Sequence, residues 1–316
     1  MVSTLRNTKV FFLLCISAFA LFLSSSWDLS VYYLSLQNSS PCSCQKCLTD
    51  GDPCFRELIT SSPKPFLSRK NAISEDIFKW WKGLQGEQRN FTFYNITIEN
   101  LFKVIPPIPD LVEPSPNRCR TCAVVGNSGN LKGSNYGRLI DYHDIVIRMN
   151  RGRTKGYEAD VGTKTTHHVM YPESATYLDS TTRLVLFPFK ISDLLWLLKS
   201  VNPGYVCKAT SINVSSNRQN GVLILNPAVM KYVHETWLAK KGKYPSTGFL
   251  TLVLSMLICD EVSVFGFGAD RDGNWNHYFE MLTDKKLRTG PHAGMHEYDV
   301  IMQLHKKKKI QFYTGW

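Results

Sequence analysis

The chain has 316 residues, of which 43% are hydrophobic and 12% aromatic, which is enough for a sizeable buried core and excludes a globally disordered protein. Its formal net charge of +11 fits a solvated basic surface, a nucleic-acid binder, a protein that meets anionic membranes, or an enzyme with anionic substrates. Charge alone does not choose among these classes, so the local patterns along the chain have to decide.

An uncharged apolar segment lies close to the N-terminus. Residues 10–27 carry no charge, and Arg6 and Lys9 precede them without any acidic residue. This length is at the short end of what crosses a bilayer as a helix. A cleaved signal peptide is the alternative, since Ala18-Phe19-Ala20 has the small-x-small form, but cleavage there would cut inside the apolar block. We favour an uncleaved signal anchor, which predicts a cytosolic tail (1–9), a transmembrane anchor (10–27), a short stem (28–41) and a lumenal catalytic domain (42–316).

Sequons and cysteines both indicate an oxidising lumen for the residues after the anchor. Sequons occur at Asn38, Asn90, Asn95 and Asn213, and the middle two share one predicted polar-aromatic loop, NFTFYNIT. Outside the anchor the cysteines form an even set, as a disulfide framework would: Cys42, Cys44, Cys47, Cys54, Cys119, Cys122, Cys207 and Cys259. Two of the spacings also fit CxxC zinc knuckles, but these lie about seventy residues apart, so disulfides are favoured over zinc.

The rest of the chain has the pattern of an α/β protein. Ser74, followed by two acidic residues, predicts the start of a helix, and the proline-rich segment 104–117 predicts extended chain. After Cys119, short apolar strands alternate with helical stretches, which predicts a mainly parallel central sheet flanked by helices. The predicted strands cover 123–125, 145–147, 184–189, 222–225 and 262–267, and the predicted helices cover 227–241 and 248–258. The basic run from Lys306 to Lys309 predicts a solvated turn before a last strand.

Two glycine-containing turns are candidates for nucleotide binding. The segment VGNSGN at 125–130 follows the first strand, where an α/β sheet binds nucleotides, although it is not the GxGxxG of dinucleotide folds. The segment YPSTG at 244–248 opens an apolar helix, whose first N–H groups and hydroxyls suit a ribose or a phosphate. Each pattern alone also fits a plain turn or a helix cap.

Histidines and paired aspartates are candidates for catalysis. His277 and His292 lie in polar segments after the last strongly apolar strand, and histidine exchanges protons near neutral pH. The DxD sequences at 50–52 and 270–272 have the form that holds Mg²⁺ or Mn²⁺ in many nucleotide-sugar transferases. The second follows a strand and carries more weight, but the Gly-Asn directly after it favours a surface turn.

Taken together, these segments resemble the animal sialyltransferases. Residues 119–174 are similar to the family's long motif, 223–268 to its short motif, HYFE at 277–280 to its third motif, and His292 with Glu297 to its HxxxxE motif. The segments GNSGNL, RMN, VGTKTTHH and YPSTG are most similar to those of the β-galactoside α-2,3-sialyltransferases acting on Galβ1-3GalNAc. The resemblance implies a single Rossmann-like domain of variant GT-A type, in a single-pass type II protein of the Golgi membrane. It also implies inverting transfer of sialic acid from CMP-sialic acid to the galactose 3-hydroxyl.

The resemblance implies a role for each matching residue. The donor nucleotide would be bound by Asn127, Asn150, Ser246, Thr247, Gly248 and Gly268. The acceptor would be bound by Tyr171 and Tyr244, the phosphate by His277, and His292 would be the general base. His292 is chosen over His296 because it stands five residues before Glu297. Disulfides Cys42–Cys47, Cys44–Cys119 and Cys122–Cys259 are implied, which leaves Cys54 and Cys207 as a further predicted pair.

The resemblance implies no metal cofactor, and the anchor and the sequons argue against a nucleic-acid partner. The expected partners are CMP-sialic acid, a galactose-terminated O-glycan or glycolipid, and the membrane. Two departures put the acceptor preference in question: Ala-Gly-Met follows His292 where related enzymes carry acidic residues, and Phe279 replaces a bulkier aromatic side chain. The alternatives are a metal-dependent glycosyltransferase that uses Asp270 and Asp272, and a catalytically inactive lumenal glycan-binding protein.

Overall fold

Parallel strands that end at one common edge organise this protein. The computed structural model describes residues 42–106, 115–201, 221–281 and 289–315. Within these ranges a seven-stranded sheet has the order β5-β4-β3-β2-β1-β6-β7, and every neighbouring pair is parallel. The strands are β1 (Thr121–Val125), β2 (Ile145–Met149), β3 (His167–Met170), β4 (Arg183–Leu186), β5 (Val222–Ile224), β6 (Glu261–Phe265) and β7 (Gln311–Tyr313). The predicted α/β class with a parallel sheet is confirmed.

Helices flank the sheet, and several begin at the caps that the sequence predicts. The Ser74 hydroxyl accepts the N–H of Ile77, and the Ser246 hydroxyl accepts the N–H of Phe249, so each serine satisfies a free donor of the first turn. The helices are α1 (Pro53–Thr60), α2 (Glu75–Lys82), α3 (Phe91–Val104), α4 (Gly137–Tyr142), α5 (Glu158–Val161), α6 (Ile191–Ser200), α7 (Pro227–Tyr232), α8 (Thr247–Ile258) and α9 (Gly294–Lys306). A π-helical turn, Val233–Trp237, continues α7.

Two side-chain clusters cover the two faces of the sheet. Successive residues of β1 point to opposite faces, so Val124 joins the larger cluster, whereas Val125 joins the smaller one. Helix α8 belongs to the larger cluster and is apolar on nearly every side, with Leu250 and Leu252 fully buried. Because α8 precedes β6 and packs on the sheet, its N-terminus lies at the edge where the strands end. This placement brings the YPSTG turn to the carboxyl ends of the strands.

Four local predictions need correction. The predicted NFTFYNIT loop is the start of α3, because Asn90 caps the helix by accepting the N–H of Phe93. The predicted helix at 227–241 ends at Trp237, since Ala239 and Lys240 take left-handed backbone conformations that turn the chain back. The strand predicted at 184–189, which is β4, stops at Leu186, before Phe187-Pro188-Phe189. Strand β3, which the sequence did not predict, holds two buried histidines.

The basic run near the C-terminus is only partly solvated. Lys306 ends α9 and the predicted last strand is present as β7, but Lys309 is 6% exposed. Its ammonium group lies 3.6 Å from an Asp52 carboxylate oxygen and 4.9 Å from the centre of the Phe55 ring. It also donates to the Asp50 carbonyl. The prediction of a wholly solvated run was therefore wrong, because Lys309 ties the last strand to the cysteine-rich segment.

The three disulfides implied by the resemblance are all present. They join Cys42 to Cys47, Cys44 to Cys119 and Cys122 to Cys259. Cys54 is exposed and has no disulfide partner among the described residues, and Cys207, like the sequons Asn38 and Asn213, lies outside them. Cys44, Cys119 and Glu261 stand close enough to hold a metal ion, but the disulfide consumes both thiolates.

The described residues contain no helix that is long and apolar enough to cross a membrane. The predicted anchor at 10–27 and the predicted stem at 28–41 lie outside those residues, as does most of the proline-rich segment, 107–114.

Glu87 should make the stability of the protein depend on pH. This carboxylate is 7% exposed and accepts hydrogen bonds from the Arg89 side chain and from the backbone N–H groups of Arg89 and Ile191. Burial alone would raise its pKa, but these bonds outweigh burial and hold the pKa at about 2. We expect Glu87→Gln to lower the free energy of unfolding at pH 7 by about 1–3 kcal/mol.

The difference in the free energy of unfolding between the wild type and Glu87→Gln should shrink as pH falls. A carboxyl with a lowered pKa stabilises the fold above its unfolded value of 4.5, and this contribution disappears as pH drops toward about 2. Denaturant unfolding of the wild type and the variant between pH 7 and pH 3 measures the difference. Glu99→Gln, at an exposed position of α3, is the matched control. A deficit that stays constant with pH would contradict this account of Glu87.

Candidate active site

Two backbone segments touch where the strand order reverses. Strands β2 to β5 follow β1 on one side and β6 and β7 lie on the other, so the crevice between the ends of β1 and β6 is a topological switch point. The N–H of Gly126 donates to the Phe265 carbonyl, and the N–H of Ser128 donates to the Gly266 carbonyl. A side-chain carbon at position 126 would lie 2.3 Å from the Gly266 carbonyl oxygen, so only glycine fits there. The VGNSGN turn is therefore fixed against the segment that follows β6.

Three asparagines at this crevice keep an unpaired buried oxygen. Asn127 donates its side-chain N–H to the Met149 carbonyl at 3.1 Å, and Asn130 donates to the Phe267 carbonyl at 2.8 Å. The Oδ1 atoms of Asn127, Asn130 and Asn150 are buried and accept no hydrogen bond from the described residues. Leaving a buried acceptor unpaired costs about 1–3 kcal/mol. Three such acceptors suit a ligand that carries hydroxyl or amino groups, as a nucleoside does.

A buried histidine sets the backbone of Asn150. Asn150 directly follows β2 and has a left-handed backbone with φ of 53°. The His168 Nε2–H donates to the Asn150 carbonyl at 2.6 Å, and the Asn150 N–H donates to Val169 at 2.8 Å. Burial lowers the pKa of His168 to about 4, so the ring stays neutral and acts as a fixed donor. His168 was not among the predicted site residues, since a buried histidine on a strand reads as core.

The N-terminus of α8 is held by an acid from the last motif. Glu297 is 6% exposed, and its Oε1 accepts the N–H of Ser246 at 2.8 Å. Ser246 in turn caps the helix, while Thr247 and Gly248 occupy its first positions, where N–H groups have no partner within the helix. This hydrogen bond explains why the HxxxxE motif ends in an acid, because the acid joins the start of α9 to the predicted nucleotide-binding turn.

Gly248 and Gly268 are shaped by neighbouring aromatic rings. A side-chain carbon at position 248 would lie 3.0 Å from the Phe267 ring, and one at position 268 would lie 2.5 Å from the Tyr298 ring. Gly268 also has a positive φ of 86°, which disfavours other residues. Both glycines therefore allow close packing between the segment after β6, α8 and α9.

His292 is oriented by a backbone carbonyl. Its Nδ1 lies 3.0 Å from the Tyr244 carbonyl oxygen, and its ring packs edge-on against the Tyr244 ring at 5.0 Å. A carbonyl oxygen only accepts, so Nδ1 carries the proton, and in the neutral ring Nε2 has a free lone pair. No described residue forms a hydrogen bond with Nε2. The half-exposed ring can thus take a proton from a substrate hydroxyl.

His277 is oriented by a carboxylate instead. Its Nδ1 lies 2.8 Å from a Glu280 carboxylate oxygen, and its ring stacks on Phe279 at 5.2 Å. A short antiparallel bridge between Ser128 and His277 fixes the backbone of His277 beside the VGNSGN turn. With Nδ1 donating to Glu280, Nε2 can also donate only when the ring carries both protons. This arrangement suits a phosphate contact.

A row of rings connects the two predicted acceptor residues. Tyr171, directly after β3, packs on Phe189 at 5.8 Å, and Phe189 packs on Tyr244 at 5.6 Å. Tyr244 then meets His292. Burial, together with the charge of Glu173, raises the pKa of Tyr171, so its hydroxyl stays protonated at neutral pH. Phe189 was missed from the sequence, because a phenylalanine after an apolar strand gives no sign of a site.

Both DxD sequences have local structural duties. Asp50 accepts the N–H of Cys47, and Asp52 caps α1 and pairs with Lys309. Asp270 accepts the backbone N–H groups of Asp272 and Asn274, which closes a tight turn. This geometry favours the interpretation of the second DxD as a surface turn.

The structure brings all the predicted site residues to one edge of the sheet through hydrogen bonds and ring contacts between the four motifs. The long motif meets the short one at Gly126–Phe265 and the third at Ser128–His277, and the short motif meets the last at Ser246–Glu297. The roles of these residues remain predictions.

Three kinds of comparison with known proteins give consistent matches. The profile of glycosyltransferase family 29 (sialyltransferase) matches residues 66–309. The CMP-N-acetylneuraminate-beta-galactosamide-alpha-2,3-sialyltransferase 1 of Gallus gallus is 44% identical over 286 residues, covering 87% of this chain and 82% of the relative. The human protein of the same name is 42% identical over 299 residues, covering 91% of this chain and 87% of the human protein. A crystal structure of a mammalian sialyltransferase in complex with Gal-beta-1-3GalNAc-ortho-nitrophenol is similar with a TM-score of 0.75 and 42% identity, covering 87% of this chain and 100% of that one.

Glu297 provides a test of how the site is held together. We expect Glu297→Ala to lower the free energy of unfolding by about 1–2 kcal/mol and to weaken CMP binding, because the Ser246 N–H loses its buried acceptor. Glu297→Gln keeps an acceptor oxygen at the same position and should restore most of both losses. Thermal unfolding and calorimetric titration with CMP measure them. Equal effects of Ala and Gln would show that charge, rather than this hydrogen bond, matters.

Proposed function

The chain belongs to glycosyltransferase family 29, and from this premise we propose that it transfers sialic acid from CMP-sialic acid to the 3-hydroxyl of a terminal galactose. The acceptor class is Galβ1-3GalNAc on glycoproteins or glycolipids, and the anomeric configuration inverts. The membership confirms the family predicted from the four motifs. The observation that carries the proposed chemistry is the pair of histidines whose different partners suit them to opposite proton tasks.

The acceptor hydroxyl needs a base, and His292 fits that task. A sugar hydroxyl is a poor nucleophile until its proton is removed, and Nε2 of His292 has a free lone pair. The row of Tyr171, Phe189 and Tyr244 leads to this ring and offers aromatic faces and hydroxyls to a disaccharide. We infer that the acceptor galactose packs beside Tyr244 with its 3-hydroxyl at Nε2.

The departing CMP needs a stabilised phosphate, and His277 fits that task. As the bond from the anomeric carbon to the phosphate oxygen breaks, negative charge develops on the phosphate. His277, whose ring Glu280 orients through Nδ1, donates from Nε2 to that oxygen when the ring carries both protons. The two free N–H groups at the start of α8 add positive potential at the same edge. In-line attack by the galactose oxygen from the opposite side inverts the anomeric carbon.

The three asparagine oxygens fit the nucleoside part of CMP. Asn127, Asn130 and Asn150 offer acceptors, which match ribose hydroxyls and the cytosine amino group. A phosphate has no hydrogen to donate at neutral pH. We therefore assign Asn127 to the nucleoside part of the donor rather than to its phosphate. Gly268 lies beside Tyr298, where the flat base can approach the backbone.

We propose that the reaction needs no metal ion. The donor has a single phosphate, so there is no diphosphate to bridge, and Asp270 is occupied in closing its own turn.

We also propose that residues 10–27 anchor the protein in the Golgi membrane with a short stem at 28–41 and the catalytic domain at 42–316 in the lumen. The three disulfides support an oxidising compartment, because such bonds persist there.

The decisive measurement is transfer of sialic acid from CMP-sialic acid to Galβ1-3GalNAc in the presence of EDTA. The wild type should be active, and His292→Ala should lower kcat by roughly 10²- to 10⁴-fold, because the base is lost. CMP affinity should stay near that of the wild type, since His292 contacts the acceptor. His296→Ala, four residues further along, is the matched control and should keep most of the activity.

Other outcomes separate the alternatives. Activity that EDTA removes and that depends on Asp270 and Asp272 would overturn the metal-free mechanism. Binding of CMP and of the glycan without transfer would identify a glycan-binding protein instead. Near-normal turnover of a folded His292→Ala protein would refute the histidine-base mechanism.

A further inference from the structure

A polar cavity opens next to the asparagines of the site. It has a volume of about 410 Å³, within the range of small-molecule sites. Residues 151–155, which directly follow Asn150, form one wall. The backbone of Gly152 lies against Asn127, since a side-chain carbon at 152 would be 3.0 Å from the Asn127 Oδ1. A ligand that fills the asparagine site therefore has this cavity as its neighbour.

The cavity carries excess positive charge. Arg151, Arg153 and Lys155 line it, all three are exposed, and none has an ion-pair partner among the described residues. Asp179 lines it too, but its Oδ1 already accepts hydrogen bonds from the backbone and hydroxyls of Thr181 and Thr182. His168 adds no charge, because its buried ring is neutral. An anionic group is the expected occupant.

The rest of the lining suits a polyhydroxylated ligand. The hydroxyls of Thr154 and Thr176 form no hydrogen bond with the described residues, so both are free to bind a ligand. Tyr177 is 66% exposed and offers an aromatic face. Arginines with free donors bind carboxylates through two parallel hydrogen bonds. The lining thus combines cations for a carboxylate with hydroxyls for a polyol.

Arg151 is the lining cation with links to two predicted site residues. It directly follows Asn150, and its positive charge acts on the Tyr171 hydroxyl. Arg153 is directed elsewhere, because its guanidinium lies over the Phe279 ring at 5.7 Å, and Phe279 stacks on His277. Arg151 is therefore free to bind an anionic group in the cavity.

We propose that this cavity binds the sialyl group of the donor, with Arg151 bound to its carboxylate and Thr154 and Thr176 facing its hydroxyls. The inference rests on the proposed function and adds to it how the donor sugar is recognised. It makes Arg151 a residue that distinguishes a sialic acid donor from a nucleotide with a neutral sugar.

Binding of CMP and of CMP-sialic acid, each measured by calorimetry without acceptor, separates this proposal from the proposed function. For Arg151→Gln we expect CMP-sialic acid to bind about 10- to 100-fold more weakly, because a charge-assisted carboxylate contact is lost. CMP, which has no carboxylate, should bind within about twofold of the wild-type affinity. Arg151→Lys should recover part of the loss. Arg138→Gln removes the same charge from the exposed face of α4, away from the cavity, and should change neither affinity.

Four results would overturn the proposal. Equal weakening of CMP and CMP-sialic acid would place Arg151 at the phosphate, and no change in either would exclude Arg151 from the donor site. A loss of the same size in Arg138→Gln would reveal a general charge effect. A wild type that binds neither compound refutes the proposed function itself, and the inference with it. Thermal unfolding of each variant shows whether it is folded.

Discussion

The close approach of two backbone segments, one after β1 and one after β6, is the constraint on which the site depends. Glycine at 126 and 266 allows the contact, and the hydrogen bonds to Phe265 and Gly266 fix it. From there the chain after β1 reaches the third motif through Ser128, while the chain after β6 lies against α8. The distant segments of the sequence meet because a parallel sheet ends all its strands at one edge, and the reversal of strand order leaves a crevice there.

Within this frame, the acceptor at each histidine decides what that histidine can do. A backbone carbonyl, as at His292, has no charge and fixes one tautomer, so the ring has a free lone pair. A carboxylate, as at His277, accepts from Nδ1, so Nε2 is a second donor whenever the ring carries both protons. In the proposed mechanism the same side chain thus acts as a base at one end of the reacting bond and as a donor at the other. Neither role needs the ring to be deeply buried, and both depend on one hydrogen bond.

Local patterns in the sequence predict much of the fold. Apolar runs predicted β1, β2 and β6, and serine caps predicted α2 and α8. Interactions between distant residues could not be predicted this way. Strand β3 was missed because its two histidines are polar residues. In the fold, the Asn150 carbonyl accepts a hydrogen bond from His168 and so makes the burial of that ring possible. Lys309 was expected in solvent because Asp52, its partner, is more than 250 residues away. In the site, the partner of His277 could be predicted, because Glu280 stands only three residues further along the chain. The partner of His292 could not, because it is a backbone carbonyl and every residue has one.

The disulfide between Cys122 and Cys259 lies inside the larger core, with these cysteines only 0% and 8% exposed. A small thiol or an oxidant reaches a sulfur atom by direct collision, so this bond is sealed once α8 covers it. It therefore has to form while the interior is still open, after the ribosome has delivered 137 further residues beyond Cys122. Oxidation and collapse are thus coupled in time. A chain that closes its core with reduced sulfurs would have to reopen before an oxidase could correct it, whereas the completed protein would keep this bond in a reducing buffer.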